Sequence, residues 1–413
     1  MEVDQIIVFF VERYSKSDIG GVKSYLRRII NSLNKTNNEA IILTQKTKQD
    51  NLDEEIIDGI KVVRLECGDF IDRIEEFNKL PEEERNAKAK ELFKKNDIEK
   101  TALKLANELN SFILKYKPKA FHFHNSYFLS PYALYFLKQN YRYEFPPSYY
   151  FWSHSPSMDL VLPDGSTSKL FSALKSFQNE YKGIFAISQS VNESMIKYGI
   201  DSKLRYLGVD LTVFSKRDNP KTITREILGL HPKAFVILFT GRILKEKGLD
   251  LLPEIFKQLI QRDEKYVIIN FLITGDGDYK SELQNKIKEL GFEKNFHFIR
   301  AQNEDELVDI YSLADCFILP SRREALGLSL LEALSCSLPS IATDLPGIRE
   351  LIIHTKNGLL VPMDNISEYL RWITGLYSNA NLRENLKLNS RKSVKELFSY
   401  ETHLNFFIKR LTR

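Results

Sequence analysis

The sequence predicts an α/β protein built from two doubly wound domains, and three observations carry that prediction. Short apolar runs alternate with amphipathic stretches from end to end, which is the pattern of parallel sheets covered by helices. The alternation restarts near the middle of the chain. A length of 413 residues with 43% hydrophobic content supplies material for two cores, where a single one would be unusual.

Taken in order, the first half offers strands over 5–10, 40–44, 61–65, 120–124, 148–152 and 183–187. The second half repeats the scheme over 235–240, 267–274, 296–299, 315–320, 340–342 and 358–361. The polar stretch 212–232, with SKRDNPKT as its most linker-like part, marks a boundary. The division is therefore 1–212, 213–390 and a C-terminal helix over 391–413. Residues 70–100 are dense in both charge signs and read as a solvated helical insertion. Aromatics at helical spacing in SVKELFSYETHLNFFIKRLTR read as a core stripe.

Composition excludes several classes. A formal net charge of +4 with 28% charged residues is too weak a basic balance to indicate a nucleic-acid partner. Cys67, Cys316 and Cys336 lie far apart without metal-ligand spacing, so neither a disulfide framework nor a zinc site is expected, and a reducing, cytoplasmic setting fits. The opening MEVDQIIVFFVERYSK lacks the basic flank of a signal peptide. No run approaches the roughly 18 to 20 apolar residues of a membrane span. Any membrane contact is expected to be peripheral, at the inner face.

The most informative motif is REALGLSLLEAL, which sets Glu324 and Glu332 eight residues apart across a turn at Gly327 and the start of a helix near Leu328. The free N–H groups of that helix and the positive end of its dipole would face an anion held between the two acids. A sugar, a diphosphate and a ribose fit that order. In FVILFTGRILKEKGLDLL, Arg242 and Lys247 follow a strand end, a planar donor fork beside a compact charge, suited to a diphosphate. The pair Gly20 and Gly21 in SDIGGVKSYLRRIINSL permits close approach of a ligand to the main chain before a helix, and equally an ordinary tight turn. His154 in YYFWSHSPSMD and His124 in AFHFHNS both stand at strand ends, where open sheets place ligands. Asp276 and Asp278 form an Asp-x-Asp triplet in ITGDGDYKSEL, which reads as a helix cap in preference to a metal site.

At these residues the chain resembles family 4 of the retaining glycosyltransferases, whose GT-B fold sets two Rossmann-like domains facing across a cleft. In that family an acid, seven intervening residues and a second acid mark the nucleotide-sugar site. TDLPGIRELI, NGLLVP and YLGVDLTVF match it as well, so the matches span most of the second domain and parts of the first. The resemblance implies Glu324, Arg242, Lys247 and His154 as catalytic residues. It also implies a donor site of Glu332, Gly327, Leu328, Ser329, Gly20, Gly21, Ile299 and Arg300. A glycine is more usual where Arg300 stands, which leaves the base pocket open between uracil and guanine. The resemblance further implies a nucleoside diphosphate sugar as co-substrate, no cofactor and no required metal. The acceptor would be a glycan, a lipid-linked or a small molecule, and the setting cell-envelope polysaccharide synthesis. It suggests a last helix returning to the first domain and a front-face route to retention. The rival expectations are a GT-B sugar-nucleotide epimerase and a non-catalytic nucleotide-sugar-binding protein.

Overall fold

The structure is a computed structural model, and it describes residues 5–15, 21–48, 50, 52–79, 95–126, 129–154, 169–300 and 303–411. The chain forms two compact units. The first comprises Met1–Asp18, Val22–Arg205 and Leu404–Arg413, the second Ile19–Gly21 and Tyr206–His403.

The sheet of the first unit contains β1 (Gln5–Val11), β2 (Asn38–Gln45), β3 (Glu54–Ile57), β4 (Ile60–Leu65), β5 (Ala120–His124), β6 (Ser148–Ser153), β7 (Gly183–Ala186) and β8 (Lys203–Leu204). Their order is β3-β4-β2-β1-β5-β6-β7-β8. β1 is central because its run of Ile7, Val8, Phe9 and Phe10 is wholly buried, as a parallel strand covered on both faces requires. It pairs in parallel with β2 (Ile7↔Ala40) and with β5 (Ile7↔Ala120). The apolar pattern did not reveal β3 or β8. β3 is an antiparallel edge strand closed by Asp58 and Gly59, both at positive φ, in a two-residue hairpin whose Asp-Gly dipeptide was its only local signal.

The second sheet runs β11-β10-β9-β12-β13-β14, all parallel. Its strands are β9 (Phe235–Thr240), β10 (Ile269–Thr274), β11 (Phe296–Ile299), β12 (Cys316–Leu319), β13 (Ser340–Thr343) and β14 (Leu359–Val361). The strand expected from residue 267 begins two positions later. Val267 sits in the 3-10 turn Glu264–Ile268 with its side chain 57% exposed, and pairing starts only at Ile269↔Phe235.

The order in which strands are added crosses to the other side of the first strand between β1 and β5 in the first sheet and between β9 and β12 in the second. Ligands of open α/β sheets bind beyond the strand C-termini at such points. The polar stretch 212–232 is held within the second unit at three carboxylates, Asp305 and Asp309, both bonded by Arg217, and Asp315, bonded by Arg225. The fully buried Asp309 accepts from the backbone N–H groups of Lys221, Thr222 and Ile223, from the Thr222 hydroxyl and from Arg217.

The C-terminal residues hold the end of helix Ala380–Leu397 and a further helix, Tyr400–Leu411. The break between them is set where Val209 bridges Ser399, with Gly208 leaving room for Tyr400: a Cβ there would lie 2.5 Å from Tyr400 Cα. Farther on, Phe407 stacks on Trp152 in the core of the first unit with ring centroids 5.1 Å apart. The charged segment 70–100 contributes helix Phe70–Lys79 and the start of helix Lys95–Tyr116, while 80–94 lies outside the described residues.

Candidate active site

Three loops meet at the C-terminal edge of the second sheet, and backbone contact explains their glycines. After β9, Gly241 donates to Thr274 O and Ile243 to Asp276 O, so the loops after β9 and β10 lie main chain to main chain. A Cβ on Gly275 would fall 1.9 Å from Gly241 O, and one on Gly277 2.4 Å from Ile243 O. The β9 loop then makes the 3-10 turn Lys245–Lys247 and ends at Gly248, whose φ of +69° and 1.9 Å clearance from Pro320 O at the Cβ position admit only glycine.

Arg322 ties the loop after β12 to the same turn. Its guanidinium bonds both oxygens of Asp250 at 2.8 Å, Asp364 at 2.9 Å and Lys245 O, while its own N–H donates to Glu246 O. Burial pushes the Asp250 carboxyl up, but the Arg322 bonds outweigh it and hold the group below its ordinary value. Motif spacing gave no hint of this bridge, because its members come from three separate segments.

Within that frame Lys247 Nζ bonds Glu324 Oε1 at 2.6 Å, with both side chains largely buried, and Ser321 Oγ donates to the same oxygen at 3.0 Å. Arg242 is exposed, and among the described residues no side chain bonds its guanidinium. Gly327, in the left-handed region at φ +83°, turns the chain into helix Leu328–Ser335 without a side-chain cap, so the N–H groups of its first turn, Leu328 and Ser329 among them, have no such partner. One turn in, Glu332 is buried and accepts from Tyr311 Oη at 3.0 Å. Ile299 ends β11, and Arg300 beside it is exposed. The fold thus gathers Arg242, Lys247, Glu324 and Glu332 along one edge of one sheet.

The Asp-x-Asp triplet does not cap a helix. Helix Lys280–Glu289 has Tyr279 at its N-cap with no side-chain bond; Asp276 accepts from Gly277 N and lies 3.6 Å from Lys280 Nζ, and Asp278 is exposed. The two glycines, which the backbone approach requires, set that turn. Among the described residues no group of three or more His, Cys, Asp or Glu converges as a metal site.

In the first unit the two strand-end histidines are partners. His124 Nδ1 lies 2.8 Å from His154 Nε2, and the Tyr25 ring packs against both. One nitrogen of that contact must donate and the other accept, so at least one ring is neutral. Asn125, at φ +54°, receives the His154 N–H on its side chain at 2.7 Å. Glu12, just past β1 and bonded by Ser126 Oγ at 3.0 Å, is pushed up to about 7, burial outweighing that bond. Gly21 opens helix Gly21–Leu33, whereas Gly20 lies outside the described residues.

Strand order, the doubled sheet and the polar loops at the second switch point define a GT-B glycosyltransferase fold. Sucrose-phosphate synthase from Thermosynechococcus elongatus superposes with a TM-score of 0.75 over 98% of both chains at 20% identity. Anabaena Alr3699/HepE in complex with UDP and glucose does so with a TM-score of 0.70 over 99% of both at 16% identity. Residues 220–393 match the family of glycosyl transferases group 1. D-inositol 3-phosphate glycosyltransferase of Jonesia denitrificans is 29% identical over 195 residues, 46% of this chain and 46% of that protein. The chain spans just under half the length of such curated relatives.

Proposed function

We propose that the protein is a retaining glycosyltransferase that moves a sugar from a nucleoside diphosphate donor to a glycan, lipid-linked or small-molecule acceptor, with a UDP-sugar favoured over GDP-mannose. The observation that carries this reading is the Lys247–Glu324 pair at the uncapped start of helix Leu328–Ser335, with Glu332 one turn inside. A ribose, a diphosphate and a sugar can be bonded there in sequence. Glu332 takes the ribose hydroxyls. Arg242, Lys247 and the helix N–H groups take the diphosphate, and Glu324 takes the sugar hydroxyls. Ile299 and Arg300 border the base. The named ligands of the Anabaena structure, UDP and glucose, support a donor of this class.

In the proposed step the acceptor oxygen bonds the anomeric carbon on the face from which the phosphate leaves, and the acceptor proton passes to a phosphate oxygen. Arg242 and Lys247 offset the charge that develops on the diphosphate. The acceptor is assigned to the first domain, 1–212, beside Gly21 and His154. Because two cations and a helix N-terminus supply the positive field, no metal is assigned to the reaction; EDTA should leave most turnover in place, and restoration by magnesium of activity lost to EDTA would overturn that assignment. The protein is assigned to the cytoplasm, resting peripherally on anionic membrane if its acceptor is lipid-linked, and failure to sediment with anionic vesicles at low salt would remove that contact.

The decisive experiment is a thermal-shift screen over nucleotide sugars followed by turnover with the donor that raises the melting temperature. Nucleoside diphosphate released only with an added acceptor supports transfer. Isomerised donor, or binding without turnover, would replace it with epimerisation or simple binding.

A further inference from the structure

Tyr311 lies in helix Glu304–Leu313 and belongs to none of the motifs that mark the donor site, yet it touches three of its parts. Its hydroxyl lies 2.6 Å from Thr240 Oγ1 at the end of β9, 3.1 Å from Ser329 O in the first turn of helix Leu328–Ser335, and 3.0 Å from Glu332 Oε2. The ring is 1% exposed and packs against Phe214 and Phe317. The phenol hydroxyl donates to Ser329 O and to Glu332 Oε2, which leaves the Thr240 hydroxyl to donate to the phenol oxygen. Burial first, and then the Glu332 charge, hold the phenol well above its ordinary pKa.

We infer that Tyr311 is a positioning residue that sets the Glu332 carboxylate for the ribose hydroxyls and fixes its distance from the phosphate-binding loop through Thr240. This rests on the proposed reading of Glu332 as the ribose ligand. A glutamate side chain has three rotatable torsions, and holding one carboxylate oxygen from a rigid, buried ring removes most of that freedom before the nucleotide arrives. Thr240 stands two residues before Arg242, so one hydroxyl links the ribose acid to the strand from which the diphosphate loop departs.

The test compares the wild type, Tyr311→Phe, Glu332→Ala and the double variant by calorimetry. The probe is whichever of UDP, GDP and ADP the wild type binds most tightly, set against its 2′,3′-dideoxy counterpart. The wild type should prefer the ribonucleotide by roughly tenfold or more, the worth of hydrogen bonds to a charged group. Tyr311→Phe keeps the ring and should bring that preference close to one, with dideoxy binding nearly unchanged. The double variant should be no worse than Glu332→Ala, since coupled residues are not additive. If Glu332→Ala abolishes the preference and Tyr311→Phe retains it, or if Tyr311→Phe weakens both nucleotides equally, the positioning role is wrong. If Glu332→Ala itself retains the preference, or no nucleotide binds the wild type, the ribose reading falls and takes this inference with it. Should Tyr311→Phe not fold, Thr240→Val is read by the same ratio: a smaller loss of preference supports the link, and an unchanged ratio overturns it.

Discussion

At the scale of single residues, the pairing of Lys247 with Glu324 changes what each substitution should do. The two groups neutralise each other, so removing one leaves a largely buried charge behind. Arg242→Ala and Lys247→Ala should each lower turnover by roughly 100- to 1,000-fold, the scale on which single electrostatic stabilisers act. Lys247→Ala should in addition lower the melting temperature, and Arg242→Ala, whose side chain is exposed, should not. Steady-state kinetics beside thermal unfolding separate the two effects, and full turnover in both variants would remove the assigned roles. Glu332→Ala should weaken binding of the bare nucleoside diphosphate, because a ribose is present with or without the sugar. Glu324→Ala should leave that binding nearly intact while impairing transfer, and calorimetry giving the reverse pattern would mean that the acids have been assigned in the wrong order.

At the scale of elements, site geometry is held by loops pressed against one another and not by any one motif. Gly248 is the clearest case, for its left-handed backbone and the Pro320 carbonyl both forbid a side chain. Gly248→Ala should cost at least the ~1–3 kcal/mol of a strained backbone position, and the clash must also displace the loop that carries Lys247. A fall in both melting temperature and donor affinity is expected. Unchanged values would show that the two loops are free to separate. The Asp-x-Asp triplet illustrates the same scale: its glycines answer to backbone approach, which no reading of carboxylate spacing could reveal.

At the scale of the whole molecule, two carboxylates give the units opposite responses to pH. Glu12, raised from its ordinary 4.5 to about 7, contributes stability that is fully present below about pH 4.5 and is lost as pH rises through 7. Asp309 is lowered from 3.8 to about 2, because the Thr222 and Arg217 bonds outweigh its burial. Its contribution is present above about pH 3.8 and is lost as pH falls through 2. Glu12→Gln should therefore flatten the decline of stability between about pH 4.5 and 7, read as urea midpoints, and Asp309→Asn should flatten the acid limb while lowering stability at neutrality. An unaltered slope in either variant would remove that group from the account.

The sequence by itself determined the α/β class, the two doubly wound domains, twelve of the fourteen named strands to within two residues and the motifs gathered at the C-terminal edge of the second sheet, because buried parallel strands are written as continuous apolar runs and many turns at positive φ are written as glycine. Only the tertiary structure decided that His124 and His154 form a pair, that Arg322 bridges the loops, that Asp309 pins the polar stretch and that Tyr311 reaches Glu332. Each of these depends on side chains distant in sequence meeting at the edge or in the interior of a sheet, and local periodicity carries no record of which distant partner a polar group will find.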